Sequence, residues 1–344
     1  MEKVPVWPPP VDAGWAPAGW RLDVGAYCRR IGVEGFLSPT LDVLRMLHRH
    51  QATTIVYENL DIHLGRAIRV DLPSVEHKLV HHARGGYCFE LNGLLAGVLE
   101  EIGFPVVRVG ARVRRGSTGV LRPRTHMALL VDAGGQRWLA DVGFGGATPL
   151  DPMPLVPDQP VRQGFWAYRL VVEPAGIWVL QTWQDDTWTD LYAFTEEPQY
   201  QPDIEMANHF TATHWSSRFV HTLTAQLPGP RVQLNLRGRQ LEVVHPGRRA
   251  VQVLSDDHAI VRVLASRFRL YLPPDTRFVA PMPSSWPTGQ ALEPGGGGAG
   301  HHGAADGGEQ ADIDSRAMEG GAEGDASTGA DAEAGARIGQ RRER

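Results

Sequence analysis

The dominant pattern along the chain is one apolar stripe with helical spacing. Leu91, Leu94, Leu95, Val98, Leu99 and Ile102 stand at i, i+3, i+4, i+7, i+8 and i+11, which predicts a helix with one continuous buried face. Gly103 suits the residue that closes such a helix, and Pro105 blocks its continuation. A shorter helix is expected over residues 23–31, ended by Gly32. Another is expected over residues 41–48, with Ser38-Pro39 supplying its cap and first-turn proline. After Pro105 the pattern turns to strands. Residues 106–113 alternate apolar and polar at their end. Residues 126–131 and 137–142 flank 132–136, a hairpin signal. Further strands are expected at 166–172, 177–183, 231–236, 239–244 and 260–264.

Composition changes this picture at both ends. Residues 1–21, rich in Pro, Trp and Gly, read as an irregular arm. From residue 285 the chain is dominated by Gly, Ala, Asp and Glu, and such a stretch buries too little apolar surface to offset its ordering entropy, so 285–344 is expected to be a disordered acidic tail. The net charge of −5 belongs to that tail: residues 290–344 hold 11 acids and 5 arginines, leaving 29 bases and 28 acids in the other 289 residues. A neutral folded part gives no nucleic-acid footprint and no membrane-binding face. No apolar run approaches the roughly 18 residues of a membrane span. The first residues carry no apolar leader, and two cysteines, Cys28 and Cys88, cannot build a disulfide framework. A cytoplasmic setting is expected.

The candidate chemistry starts at Cys88. It lies between Gly85-Gly86 and the strongest helix, where the helix dipole and unpaired N–H groups favour thiolate over thiol. The two glycines permit close backbone approach and positive φ. A buried structural cysteine is the alternative. A nucleophilic thiol needs an imidazole base and a group to orient it. Hairpin parity supplies a pair: with a loop at 133–134, His126 faces Asp141 directly, and with a loop at 134–135 or over the four residues 133–136 the two form a diagonal pair on one face. His81-His82 lack the cysteine partners of a zinc finger, and no metal is expected. Residues 143–146 lack the strand–helix context of a dinucleotide loop. Cys28 reads as core, and Trp215 beside His214 as a possible cleft residue.

These residues also carry a resemblance. The run Arg84-Gly85-Gly86-Tyr87-Cys88-Phe89-Glu90-Leu91-Asn92 resembles the active-site motif of the arylamine N-acetyltransferases. Thr125-His126 and residues 141–145 resemble that family's His and Asp motifs. Val56-Tyr57-Glu58-Asn59-Leu60 is similar to its Pro-Phe-Glu-Asn-Leu segment, and Asn208 to His214 with Phe219 resembles its Asn-aromatic-aromatic pattern. The resemblance runs from about residue 22 to 275. Departures are Val56-Tyr57 for Pro-Phe, Trp215 for Pro, and Phe268-Arg269 for Phe-Gly.

The resemblance implies an α+β chain of the cysteine-protease-like superfamily. An N-terminal helical bundle (22–104) would carry Cys88, a central β-barrel (105–210) would carry His126 and Asp141, and a C-terminal α/β lid (211–284) would follow. It implies acetyl-CoA as acyl donor and an arylamine or arylhydrazine as acceptor, joined by a ping-pong mechanism through acetyl-Cys88. Thr125, Gly143, Phe144, Gly145 and Gly146 would line the cofactor cleft. Tyr57, Phe89, Val113 and Phe210 would wall the acceptor pocket. An amide synthase that releases a polyketide chain onto an aromatic amine would share the fold, and a cysteine hydrolase is the other class. A buried Arg84–Glu58 pair is expected to fix the Cys88 loop.

Overall fold

Among the described residues the first part is helical, beginning with α1 (Val24–Ile31) and α2 (Leu41–Thr54). In this computed structural model, residues 14–116, 121–184 and 186–279 are described; the acidic tail and the first part of the N-terminal arm lie outside them. Asp23 caps α1 by accepting from the Ala26 N–H at 2.7 Å, and Gly32 ends it with φ +69°. The cap of α2 differs from expectation. Thr40, not Ser38-Pro39, accepts from the Val43 N–H, and the helix runs six residues beyond His48. The extension was hidden because its buried face is partly polar: His48 and Gln51 continue the stripe of Leu44 and Leu47. Strand β1 (Tyr57–Glu58), α3 (Leu60–His63), α4 (Leu72–Glu76) and α5 (Cys88–Ile102) follow. Helix α5 is the centre of this part, buried on every side from Cys88 to Leu99.

Eight strands come next: β2 (Val106–Val113), β3 (Arg124–Ala133), β4 (Gln136–Ala140), β5 (Met153–Pro154), β6 (Val161–Gln163), β7 (Trp166–Glu173), β8 (Ile177–Gln184) and β9 (Thr187–Pro198). They form one antiparallel sheet in the order β5-β4-β3-β2-β9-β8-β7-β6, a nearly closed barrel. Its two edges meet through side chains: Gln163 accepts from the Asp151 N–H and donates to the Asp151 carbonyl, at 2.9 and 3.0 Å. The hairpin β3–β4 turns at Gly134-Gly135, both with positive φ (+61° and +76°), so Leu129 pairs with Ala140. Strand β3 is buried on both faces. Ala128 and Leu130 fill the barrel, while Met127, Leu129 and Val131 pack on the helical core. Double burial explains its unbroken apolar run. The longest strand, β9, was not among the expected strands, and it follows the positive-φ turn residue Asp186.

Helices α6 (Gln201–Thr213) and α7 (Arg218–His221) lead into β10 (Thr224–Leu227), β11 (Gln233–Arg237), β12 (Gln240–His245), β13 (Arg248–Val253) and α8 (Asp257–Phe268). The strand expected at 260–264 is therefore part of a helix. Asp256 caps α8 through the Ala259 N–H, and Ile260, Leu264 and Phe268 at i, i+4 and i+8 close a separate core over the last sheet. Tertiary packing outweighs the β-branched preference of Ile260-Val261 there. This second sheet runs β1-β10-β11-β12-β13, so the segment just after α2 is woven into it. Helix α6 spans the expected boundary at 210. No helix of the described residues is long and apolar enough to cross a membrane.

Candidate active site

Cys88 sits in the first turn of α5, 3% exposed as a residue. Its loop is built by close backbone contact. Gly86 bridges to Tyr57, with the Glu58 N–H donating to the Gly86 carbonyl at 2.9 Å. A Cβ on Gly85 would stand 2.1 Å from the Val56 carbonyl, and one on Gly86 would stand 2.6 Å from Glu90 Oε2. Neither glycine has positive φ; close approach alone requires them.

Under this loop lies a buried charge network. Arg84 donates from Nε and Nη2 to Glu58 Oε1 at 3.0 and 2.7 Å, the pair expected from the sequence, and Nη2 also reaches Asp61 at 3.2 Å. Lys78 joins Asp61 and Glu90 at 2.7 and 2.6 Å. Glu90 in turn accepts from the Tyr87 N–H at 3.0 Å, which fixes the residue before the nucleophile. Burial pushes Glu90 up to about 7, against the pull of Lys78. Burial also opposes the Lys78 charge, yet Glu90, Glu58 and Asp61 hold its ammonium above the ordinary range.

His126 and Asp141 meet beside Cys88. The hairpin takes the diagonal register, and His126 Nε2 lies 2.8 Å from Asp141 Oδ2. Cys88 lies near enough to His126 to favour a charge on its ring. A bulge sets this direction: Ala111 pairs with His126 but Arg112 with Arg124, so Thr125 is the extra residue and its carbonyl accepts from the Cys88 thiol at 3.7 Å. Bulges re-aim side chains in this way. Burial opposes a charge on His126, but the Asp141 carboxylate, its hydrogen bond and Cys88 outweigh it and hold the imidazole well above its ordinary value. Burial would raise Asp141; the His126 charge and hydrogen bonds from His126, Asn92 and the Gly143 N–H keep it low.

Two residues to which the sequence expectations gave no role complete the arrangement. Asn92, one turn after Cys88 on α5, donates to Asp141 Oδ1 at 2.9 Å and to the Met127 carbonyl, and accepts from the Val142 N–H at 2.9 Å. His48, fully buried on α2, accepts at Nε2 from the Asp141 N–H (3.0 Å) and donates from Nδ1 to the Leu150 carbonyl (3.1 Å). Those partners fix one neutral tautomer, and burial lowers its tendency to protonate. Both had a legible signal: a polar side chain in the middle of an apolar helix face.

The remaining expected residues divide. Gly143 lies against the nucleophile, where a Cβ would stand 2.8 Å from Cys88 Cα. Phe144 packs edge-on to His126 at 5.1 Å and Tyr192 lies 4.8 Å from the same ring. The Gly146 N–H donates to Gln226 on β10 at 2.7 Å. Tyr57 is 8% exposed, its ring 6.4 Å from Phe219, which also meets Tyr87 at 5.8 Å. Val113 is half-buried at the end of β2 beside Tyr192. Phe89 is in the helical core, and Phe210 stacks on His214 at 4.3 Å on α6. Trp215 is 77% exposed. His77, His81 and His82 pack ring to ring, and among the described residues no group of three or more His, Cys, Asp or Glu is placed to hold a metal.

Two outcomes follow from these contacts. Arg84→Met strands the fully buried Glu58 carboxylate and is expected to cost about 3–5 kcal/mol in urea unfolding; a loss below about 1 kcal/mol, the worth of a surface pair, would contradict it. Asp141→Asn removes the leading cause that raises His126 while burial remains. Its imidazole midpoint, followed by nitrogen NMR, is expected to fall from above to at or below the ordinary value of about 6.5. An unchanged midpoint would contradict this.

The chain is similar to a known group of proteins. A family model described as N-acetyltransferase matches residues 40–277. An arylamine N-acetyltransferase from Mycobacterium tuberculosis is 40% identical over 252 residues, covering 72% of this chain and 89% of the relative. Among solved structures, the Nocardia farcinica arylamine N-acetyltransferase has a TM-score of 0.71 and 38% identity, covering 77% of this chain and 95% of its own. The Mycobacterium marinum enzyme in complex with CoA has a TM-score of 0.69 and 36% identity, covering 72% and 93%. This chain belongs to the arylamine N-acetyltransferase family.

Proposed function

We propose that this acyltransferase carries the acetyl group on Cys88 between two half-reactions. The observation behind the reading is the buried hydrogen bond between Asp141 and His126, with Cys88 at the first turn of α5 beside that imidazole and bonded to the adjacent Thr125 carbonyl. The raised imidazole favours a thiolate–imidazolium pair, which is the attacking form of cysteine. The thiolate attacks the thioester carbonyl of acetyl-CoA, forming a new C–S bond. The bond to CoA sulfur breaks, and His126 gives its proton to the departing thiolate. One thioester replaces another, so the step is close to thermoneutral. The amine then attacks acetyl-Cys88, His126 takes the amine proton, and the cysteine thiolate leaves. Asp141 holds the ring's orientation and stabilises the imidazolium. The backbone N–H groups at the start of α5, which have no partner within the helix, face the developing oxyanion.

Acetyl-CoA as donor is supported by the M. marinum relative solved with CoA, and an arylamine acceptor by the name of the curated relatives. In this reading Thr125 and residues 143–146 line the donor's approach, while Tyr57, Val113 and Phe219 wall the acceptor side. A thiol on a helix and an imidazole on a barrel strand also fit the cysteine-protease-like superfamily. The helices before β2, the strands β2–β9, and the segment from α6 to α8 are then the helical, barrel and lid parts. The free thiols of Cys28 and Cys88 agree with a reducing cytoplasm.

Intact-protein mass spectrometry after mixing with acetyl-CoA alone is expected to find one added acetyl group, and peptide mapping to place it on Cys88. Cys88→Ala should lower turnover at least about a thousandfold. An unmodified wild-type protein, or wild-type turnover in Cys88→Ala, would sink the scheme.

A further inference from the structure

Strand β4 ends at Ala140, and the β3–β4 ladder ends with it at the pair Leu129–Ala140. Asp141 is the first residue past the sheet, so its buried N–H needs an acceptor from elsewhere. The segment it opens, residues 141–150, is a loop. Connecting segments ordinarily run over the surface. Here every residue of 141–150 except Phe144 is buried. Gly143 presses on Cys88 Cα, and Phe144 lies on the His126 ring. The Phe144 N–H donates to Thr148 Oγ1 at 2.7 Å, and the Thr148 carbonyl accepts from the Tyr168 hydroxyl at 3.3 Å. The middle of the loop rests on the polar face of the second sheet, which Gln226, Gln233 and Asn235 line and which is itself buried. Gln226 takes the Gly146 N–H, and a Cβ on Gly146 would stand 2.0 Å from Gln233 Nε2 and 2.3 Å from Asn235 Oδ1.

The two ends of this loop are held by one side chain. His48 reaches in from α2, accepts from the Asp141 N–H at 3.0 Å through Nε2, and donates from Nδ1 to the Leu150 carbonyl at 3.1 Å. One imidazole therefore joins the first residue of the loop to the last. Its neighbour Arg49 donates from Nε and Nη2 to the Asp151 carboxylate, so α2 grips the chain on both sides of the Leu150 carbonyl. An apolar residue of similar bulk would fill the space but leave a buried N–H and a buried carbonyl unpaired. A charged ring would fail as well, because both nitrogens would then be donors and one would face the Asp141 N–H. The neutral ring with its proton on Nδ1 fits both partners. Burial disfavours the charged form, against the pull of the Leu150 carbonyl, Asp151 and Asp141.

We propose that His48 is a positioning residue for acyl transfer: by joining Asp141 to Leu150 it closes the loop that sets the Asp141 carboxylate on His126 and Gly143 against Cys88. Both of its hydrogen bonds go to backbone, so it acts through Asp141 and not on the reacting atoms. The inference rests on the acyl-transfer reading above and adds a residue outside the set of Cys88, His126 and Asp141.

The test is the burst of CoA release from acetyl-CoA without amine, in the full chain. Burst amplitude counts competent protein, and burst rate reads how well its groups are placed. His48→Leu removes both hydrogen bonds and keeps most of the bulk. It is expected to slow the burst about tenfold, while the acetyl-CoA concentration giving half the maximal rate changes by less than about twofold. His48→Gln, whose amide offers one acceptor and one donor, should recover part of the rate. In the wild type, nitrogen NMR of His48 should find a proton on Nδ1 and none on Nε2, a readout that needs no variant to fold. A His48→Leu burst at the wild-type rate, even with reduced amplitude, would overturn the proposal, and so would a proton on Nε2. A wild-type protein that gives no burst would instead sink the acyl-enzyme reading, and the positioning role with it.

Discussion

A carboxylate with almost no exposure is tolerated only if its charge is met from within, and Asp141 is such a group. Its two oxygens take hydrogen bonds from His126, Asn92 and the Gly143 N–H, and its own N–H goes to His48. Each partner comes from a different piece of chain: a barrel strand, the nucleophile's helix, the following turn, and the second helix. Satisfying one buried charge therefore sets the relative position of all four. Cys88 is carried along, because Asn92 lies one turn below it on α5 and Gly143 packs on its Cα. Removing His126, Asn92 or the Gly143 N–H would leave the charge short of a donor, and removing His48 would leave the Asp141 N–H without its acceptor, so the arrangement is held as a unit.

A second buried network supports the same cysteine from the other side. Arg84, Lys78 and three acids fix the loop that precedes α5, and Glu90 ties that network to the residue before Cys88. Buried ion pairs of this type contribute little net stability compared with an apolar core, but they break sharply when one partner is lost. The sulfur thus sits between two polar frameworks in an otherwise apolar core. One framework positions its base, and the other shapes its loop.

Much of this was legible in the sequence, for identifiable reasons. Helix α5 announced itself because its apolar stripe is complete and Gly103 closes it with φ +101°. The hairpin was legible in parity but not in register: two loop placements remained open, and Gly134-Gly135 decided it because both residues adopt positive φ. What stayed hidden depends on contacts between distant segments. The bulge at Thr125 is a property of the β2–β3 pairing, not of either strand. The second half of α2 was missed because His48 and Gln51 look like surface residues until their partners are known. Helix α8 read as a strand because Ile260 and Val261 favour strands until they have a sheet to cover. The Arg84–Glu58 pair was readable, since a lone Arg and a lone Glu each bordered a chemistry-bearing motif. The polar face of the second sheet was not, because nothing in a single strand tells which of its faces will be covered.

The account turns on Asp141 acting through His126 to make Cys88 an acyl carrier. Stopped-flow release of CoA from acetyl-CoA without any amine tests it most directly. Wild-type protein should give a rapid burst of one CoA per cysteine nucleophile and then stop. In Asp141→Asn, with the imidazole freed to adopt the wrong tautomer, the burst should slow by about ten-thousand-fold. A burst at the wild-type rate in that variant would contradict the account.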